Sequence, residues 1–138
     1  MAPSVAFACE DPDSVTIALR DAPPESVQDG EIVLELDSAS MTIIKREPTE
    51  VESQGHRISF SNDFASYRIV RVLAGSFAEP TARVPFSHSS CRFLGGRTSG
   101  LSYLVARPAT EDDGFAYLLP RPITGADLRA KWESEEAN

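Results

Sequence analysis

The run Tyr67-Arg68-Ile69-Val70-Arg71-Val72-Leu73 constrains this chain more than any other segment. It is dense in β-branched and apolar residues, and Ala74-Gly75-Ser76 closes it. Such a run reads as a strand whose two faces are both at least partly buried. A strand of that kind needs partners along its edges and layers over its faces. The chain must therefore supply a sheet around it.

Candidate neighbours lie on either side. Val15-Thr16-Ile17-Ala18-Leu19 reads as a short strand or one helical turn, and Pro23-Pro24 and Asp29-Gly30 are turn signals. Glu31-Ile32-Val33-Leu34-Glu35-Leu36 carries Glu at intervals, as a half-exposed strand would, and Met41-Thr42-Ile43-Ile44-Lys45 is a second β-branched run. Arg46 to Gly55 has three glutamates and Pro48 and is expected to be an exposed loop before a short strand at Ile58-Ser59-Phe60. Downstream, Ala82 to Phe86 is a strand candidate in which Pro85 argues for an edge or an early exit. Leu101 to Ala106 and Phe115 to Leu119 read as a hairpin around the acidic tip Thr110-Glu111-Asp112-Asp113-Gly114. Pro120 and Pro122 are expected to stop the sheet. Thr124 and Asp127 then form an [ST]-x-x-[DE] capping pattern for a helix over 125–135.

Six to eight short strands and one terminal helix predict an all-β domain, a sandwich or a small barrel. No strand–helix alternation supports a doubly wound fold. The length of 138 residues suits one domain, and 41% hydrophobic with 25% charged residues is ordinary for a soluble globular chain. The net charge of −8 opposes phosphate backbones and anionic lipid. No apolar run is long enough to span a bilayer.

Cys9 and Cys91 are the two cysteines. They are either unrelated buried thiols or a disulfide closing a loop of about 80 residues, worth roughly 4–5 kcal/mol on the chain-entropy view. Cys9 sits in the acidic segment Ala8-Cys9-Glu10-Asp11-Pro12-Asp13, where a cysteine makes most sense if something fixes it. A bond would imply an oxidising compartment. Ala6-Phe7-Ala8 fits the A-x-A pattern before a signal-peptidase cut, although no charged n-region with an apolar h-region precedes it. Residues 1–8 are accordingly read as a disordered tail and a signal-peptide remnant, with a single domain over 9–138.

Catalytic chemistry finds little support. Ser87-His88-Ser89-Ser90-Cys91 sets a base beside possible nucleophiles, but in one loop and without a third positioned group. No Gly-x-Ser-x-Gly, phosphate loop or His-Glu-x-x-His occurs. The two cysteines and two histidines lack zinc-ligand spacing. The chain is expected to be no enzyme and to use no metal or cofactor.

The stretch from Tyr67 to Pro108 resembles netrin-like domains, the superfamily that includes the tissue inhibitors of metalloproteinases. Tyr67 to Gly75 is similar to the strand ending in a V-x-K-G-like turn. Arg83-Val84-Pro85-Phe86, Cys91 and Gly100-Leu101-Ser102-Tyr103-Leu104-Val105 are similar to the following strand, the cysteine and the G-x-x-Y-L-V strand. Asp29 to Leu36 resembles the first barrel strand. The resemblance implies an OB-like five- to eight-stranded barrel with a C-terminal helix, and a Cys9–Cys91 disulfide. The Cys-x-Cys start and the later cysteines of that family are absent, and Arg92 stands where a Gly is common.

OB barrels bind on aromatic and basic faces. Tyr67, Arg71, Arg92, Phe93 and Arg97 are the candidate binding surface here. The resulting expectation is a non-enzymatic protein-binding module, a monomer or weak oligomer, secreted or periplasmic, with an unidentified protein partner and no nucleic acid. The alternatives are a small intracellular ligand-binding or regulatory domain with reduced cysteines, and a metalloprotease inhibitor acting through its N-terminal segment.

Overall fold

The computed structural model describes residues 15–86 and 92–136. Eleven strands are formed there: β1 (Thr16–Leu19), β2 (Ile32–Asp37), β3 (Thr42–Ile44), β4 (Thr49–Ser53), β5 (His56–Phe60), β6 (Phe64–Ala74), β7 (Thr81–Pro85), β8 (Arg92–Gly95), β9 (Leu101–Thr110), β10 (Ala116–Pro120) and β11 (Ile123–Thr124). The helix α1 (Gly125–Glu136) follows them. The expected all-β character holds in its coarser form: a mostly β domain with a curled half-barrel sheet and a short C-terminal helix.

The main sheet runs β10-β9-β2-β6-β3, and β7 also pairs with β6. β6 is the expected core strand, and it is longer than its apolar run: β7 pairs along Phe64 to Arg68 on one edge, and the other edge is used in two halves. That second edge takes β2 along Ile69 to Ala74 and then β3 along Phe64 to Ser66. Between those ladders residues 37–41 oppose only residues 67–68 of β6, so the chain bulges through the 3-10 turn Ser38–Ser40. Such an insertion bends and twists the sheet. Asp37 caps the turn by accepting from the Ala39 amide at 3.1 Å. The Ser38 hydroxyl meets the Ser102 hydroxyl at 2.6 Å, and Ser102 also accepts from the Arg97 amide at 2.9 Å, so this buried polar pair is satisfied.

All the ladders that join β7, β6, β2, β9 and β10 are antiparallel. β7 and β10 therefore run in the same direction, and the curl of the sheet brings these two end strands against each other. No ladder joins them among the described residues. The core lies within this curl. Leu34, Leu36, Val84, Leu104 and Leu118 are fully enclosed, with Ala65, Tyr67 and Ala82 beside them. Each such leucine contributes about 1.5–3 kcal/mol by leaving water.

A second sheet, β11-β1-β8, packs alongside. β1 pairs with β8 in parallel and with β11 antiparallel, and the Arg20–Tyr103 bridge ties it to β9. Gly95 permits the close approach of β8 to β1: its φ is 72°, and a Cβ there would lie 2.2 Å from Ile17 Cγ2. The prolines 120 and 122 do not end the sheet as expected. They redirect the chain, which pairs once more as β11 before the helix. Thr124 and Asp127 form the expected reciprocal cap, each side chain accepting from the other's amide at 3.1 Å.

β2 differs from its expectation. Glu31 and Glu35 are buried rather than half-exposed. Arg121 Nε donates to Glu31 at 2.8 Å, and the Gln28 amide donates to it at 2.7 Å. Burial alone would raise the Glu31 carboxyl, but these hydrogen bonds and the charges of Arg121 and Arg107 hold it below the usual carboxylate range. Glu35 sits between Arg71 and Tyr103, opposite both in register, and accepts from each at 3.3 Å.

The expected Cys9–Cys91 disulfide is not borne out: no disulfide bond is present among the described residues. Both cysteines, like residues 1–8, lie outside the described residues. The bond was expected because the polar N-terminal segment needed an anchor. Strand pairing already anchors the chain where it enters the fold, since β1 is held on one edge by β8 and on the other by β11.

Candidate functional site: a projecting hairpin arm

β4 and β5 form a hairpin of their own that pairs with no other strand among the described residues. Ser53 faces His56, which leaves a two-residue turn at Gln54 and Gly55. Both have positive φ, 52° and 79°, the type I′ geometry that matches the twist of a hairpin. Directly opposed residues share a face, and successive residues alternate. Val51 opposite Ile58 and Thr49 opposite Phe60 therefore make one apolar face, while Glu50, Glu52 and Arg57 make the other.

Every residue of β4 and β5 is exposed. Val51 is 45% exposed, Ile58 42% and Phe60 54%. A hairpin with an apolar face normally lays it on the core, yet this one holds it in the open. Met41 and Ile43, just before the arm, are exposed as well. The exposed large apolar side chains of the domain are thus concentrated between residues 41 and 60.

The root of the arm is firmly held. Asn62 Nδ2 donates to the Glu47 carbonyl at 2.9 Å and to Thr49 Oγ1 at 2.8 Å, stapling the two strands where they leave the sheet. The Asp63 carbonyl accepts from the Phe86 amide at 2.9 Å. The Arg46 guanidinium reaches the tip of the β9–β10 hairpin. It meets Glu111 at 3.1 Å, hydrogen-bonds Asp113, and lies 4.1 Å above the Phe115 ring. Arg83 stands 4.7 Å from the same ring, and Phe64 packs on Phe115 and Tyr117 at 4.8 and 5.5 Å. The Phe115 amide and Arg46 both donate to Asp113, which holds its carboxyl below the usual range. Two arginines over one ring, with Arg46 held by two acids, make a rigid brace between the arm and the sheet.

The candidate surface read from the sequence is split. Tyr67 is no surface residue: it is buried in the core, and burial raises its hydroxyl to about 12. Arg71 is exposed at its tip but paired with Glu35. Arg92 and Phe93 do come together, on β8 in the second sheet, where they line a cleft of about 300 Å³ with Phe86, Leu119 and Pro120. Arg97 follows β8, with its amide bound to Ser102. Alternation showed that β6 had two faces but could not show which one the core would take. The Ser87–Cys91 loop and His88 lie outside the described residues.

The sequence predicts an exposed loop for the first half of the arm and the short strand Ile58 to Phe60 for its second half, without pairing the two. The signal for the hairpin was present in the alternation of Thr49 to Ser53 and His56 to Phe60 about Gln54-Gly55, but Pro48 and the three glutamates masked it. No family description, curated protein or solved structure matches this chain. The netrin-like resemblance therefore rests on its motif alone. What stands is a small, mostly β domain with a curled half-barrel sheet and a C-terminal helix. No helix among the described residues is long and apolar enough to cross a membrane.

Proposed function

We propose that this chain is a non-enzymatic interaction module that binds another protein through the β4–β5 arm. The observation that carries the reading is the open apolar face of Val51, Ile58 and Phe60 on a braced, projecting hairpin. Open apolar patches on otherwise polar surfaces mark interaction sites. The occupant is a cleft on a different protein. A standard interface needs about 800 Å² from each partner. Three side chains on a hairpin of two five-residue strands fall well short of that if two arms merely stack, so self-association through this face is disfavoured. A cleft that receives the arm contacts both faces, with one apolar wall against Val51, Ile58 and Phe60 and one polar wall against Glu50, Glu52 and Arg57.

An OB-like barrel is the finer fold reading that accords with this. Its support is the order β7-β6-β2-β9-β10 with the end strands side by side and parallel in direction. In that scheme the arm is the connection between the first and second barrel strands, and Glu111 to Phe115 is the connection between the fourth and fifth. OB folds bind through these two loops, and here Arg46 joins them. Membership of the netrin-like group within that scheme is supported by the motif from Tyr67 to Val105. Export to the periplasm or beyond is supported by Ala6-Phe7-Ala8 only.

The test is a photo-crosslinking amino acid placed at Phe60, with the same probe at Thr98 as control, in cells that make the protein. A discrete adduct with a different protein from Phe60, lost when Ile58→Asp is added, supports the reading. An adduct only with a second copy, or identical adducts from both positions, overturns it.

A further inference from the structure

The cleft beside β8 is independent of the arm. It is walled by the end of β7 (Pro85, Phe86), by β8 and by the end of β10 (Leu119, Pro120), with Thr16 and Ala18 of β1 behind. Most of that wall is apolar. Phe93 and Leu119 are 52% and 48% exposed, so water now covers surface that a ligand would bury. Arg92 is the one charged residue on the wall among the described residues.

Arg92 has a second property. In this acidic chain the described arginines are largely engaged: Arg46, Arg57, Arg68, Arg71 and Arg121 in ion pairs, and Arg107 on Gln28 and the Asp29 carbonyl. Arg92 has no ion-pair or hydrogen-bond partner for its side chain among the described residues. An unpaired guanidinium on an apolar cleft is complementary to a molecule with a greasy body and one anionic head. The planar fork of arginine matches a carboxylate. Among the described residues no second cation stands on the wall to match a doubly charged phosphate. About 300 Å³ is also the lower end of the range for small-molecule sites, which selects a short ligand.

We infer that this cleft binds a small amphipathic carboxylate, with its chain against Phe93, Phe86 and Leu119 and its carboxylate on Arg92. The bound chain covers apolar surface on the second sheet, and the charge fixes which end points outward.

The probe is octanoate, titrated into the whole protein and followed by amide chemical shifts, with octylamine and octanol in parallel. Shifts confined to Arg92–Leu94, Phe86 and Leu119, at least tenfold weaker binding of octylamine, and a tenfold loss of octanoate affinity in Arg92→Gln support the inference. Octanol binding in that variant should be unchanged, which separates loss of charge recognition from loss of fold. Equal binding of octanoate and octylamine, shifts elsewhere on the domain, or no saturable binding by millimolar octanoate overturns it.

Discussion

Arg46 Nη1 lies 3.1 Å from Glu111 Oε2, which joins the root of the arm to the tip of the β9–β10 hairpin. That ion pair is one part of a network with Asp113 and the Phe115 ring, and networks hold where single surface pairs contribute little. The arm owes its fixed orientation to this brace. Its own strands touch no core.

Removing the brace should therefore loosen the arm more than the domain. Arg46→Gln is expected to cost about 1 kcal/mol of global stability, the size of a partly exposed charge and ring contact. Hydrogen exchange across residues 45–63 should accelerate while β2 and β9 keep their protection. Uniform acceleration through all strands would show that Arg46 serves the core instead.

The turn offers a local handle on the same element. Gln54 has φ of 52°, a conformation that asparagine adopts more readily than glutamine. Gln54→Asn should slow exchange in the arm, and Gly55→Val should speed it, because a β-branched residue is strained at φ of 79°. Neither variant should move the melting temperature of the domain by more than a degree or two.

Stability and exposure should separate along the chain. Leu34→Ala empties a fully enclosed site and is expected to cost about 2–5 kcal/mol. Phe60→Ala removes a side chain that is more than half exposed and lies outside the core, and its effect should stay within about 0.5 kcal/mol. Denaturant midpoints of the two variants check this, and a large loss at Phe60 would mean that the arm folds back onto the domain.

The acid limb of stability should depend on Glu31. Its folded carboxyl is held below the unfolded value of about 4.3, so between those values the unfolded chain binds more protons and stability rises with pH. The contribution is present above about pH 4.3 and is lost as pH falls through the depressed folded value. Glu31→Gln should cost about 1–2 kcal/mol at pH 7 and converge on the parent as pH falls through the depressed folded value. Urea midpoints measured from pH 7 to 3 give the comparison.

At the alkaline end the sign reverses. Burial keeps the Tyr67 proton on to about pH 12, while the unfolded tyrosine releases it near pH 10. Stability should fall between those values, and Tyr67→Phe should flatten that decline in denaturation curves taken from pH 9 to 12.

Local features were legible in the sequence. The Thr124–Asp127 cap, the strand at Tyr67 to Leu73, the early exit at Pro85 and the β9–β10 hairpin each depend on neighbours a few residues away. What depends on distant partners was not. Glu31 and Glu35 read as solvent-facing because Arg121, Arg71 and Tyr103, which satisfy them, are far along the chain. Tyr67 read as surface because alternation does not say which face of a strand the core will take. β11 was hidden behind two prolines, and its pairing with β1 is set by the second sheet. Of the candidate surface, Arg92 and Phe93 survive as neighbours on one cleft. The arm went unseen as a hairpin because its polar composition resembles a loop and no core patterning disciplines it.

The most direct measurement is replacement of Thr49–Phe60 by a short glycine-containing turn, read by melting temperature and by crosslinking to the partner in cells. The account predicts a domain that melts within a few degrees of the parent and no longer captures the partner. A domain that unfolds without the arm, or one that captures the same partner undiminished, would contradict it.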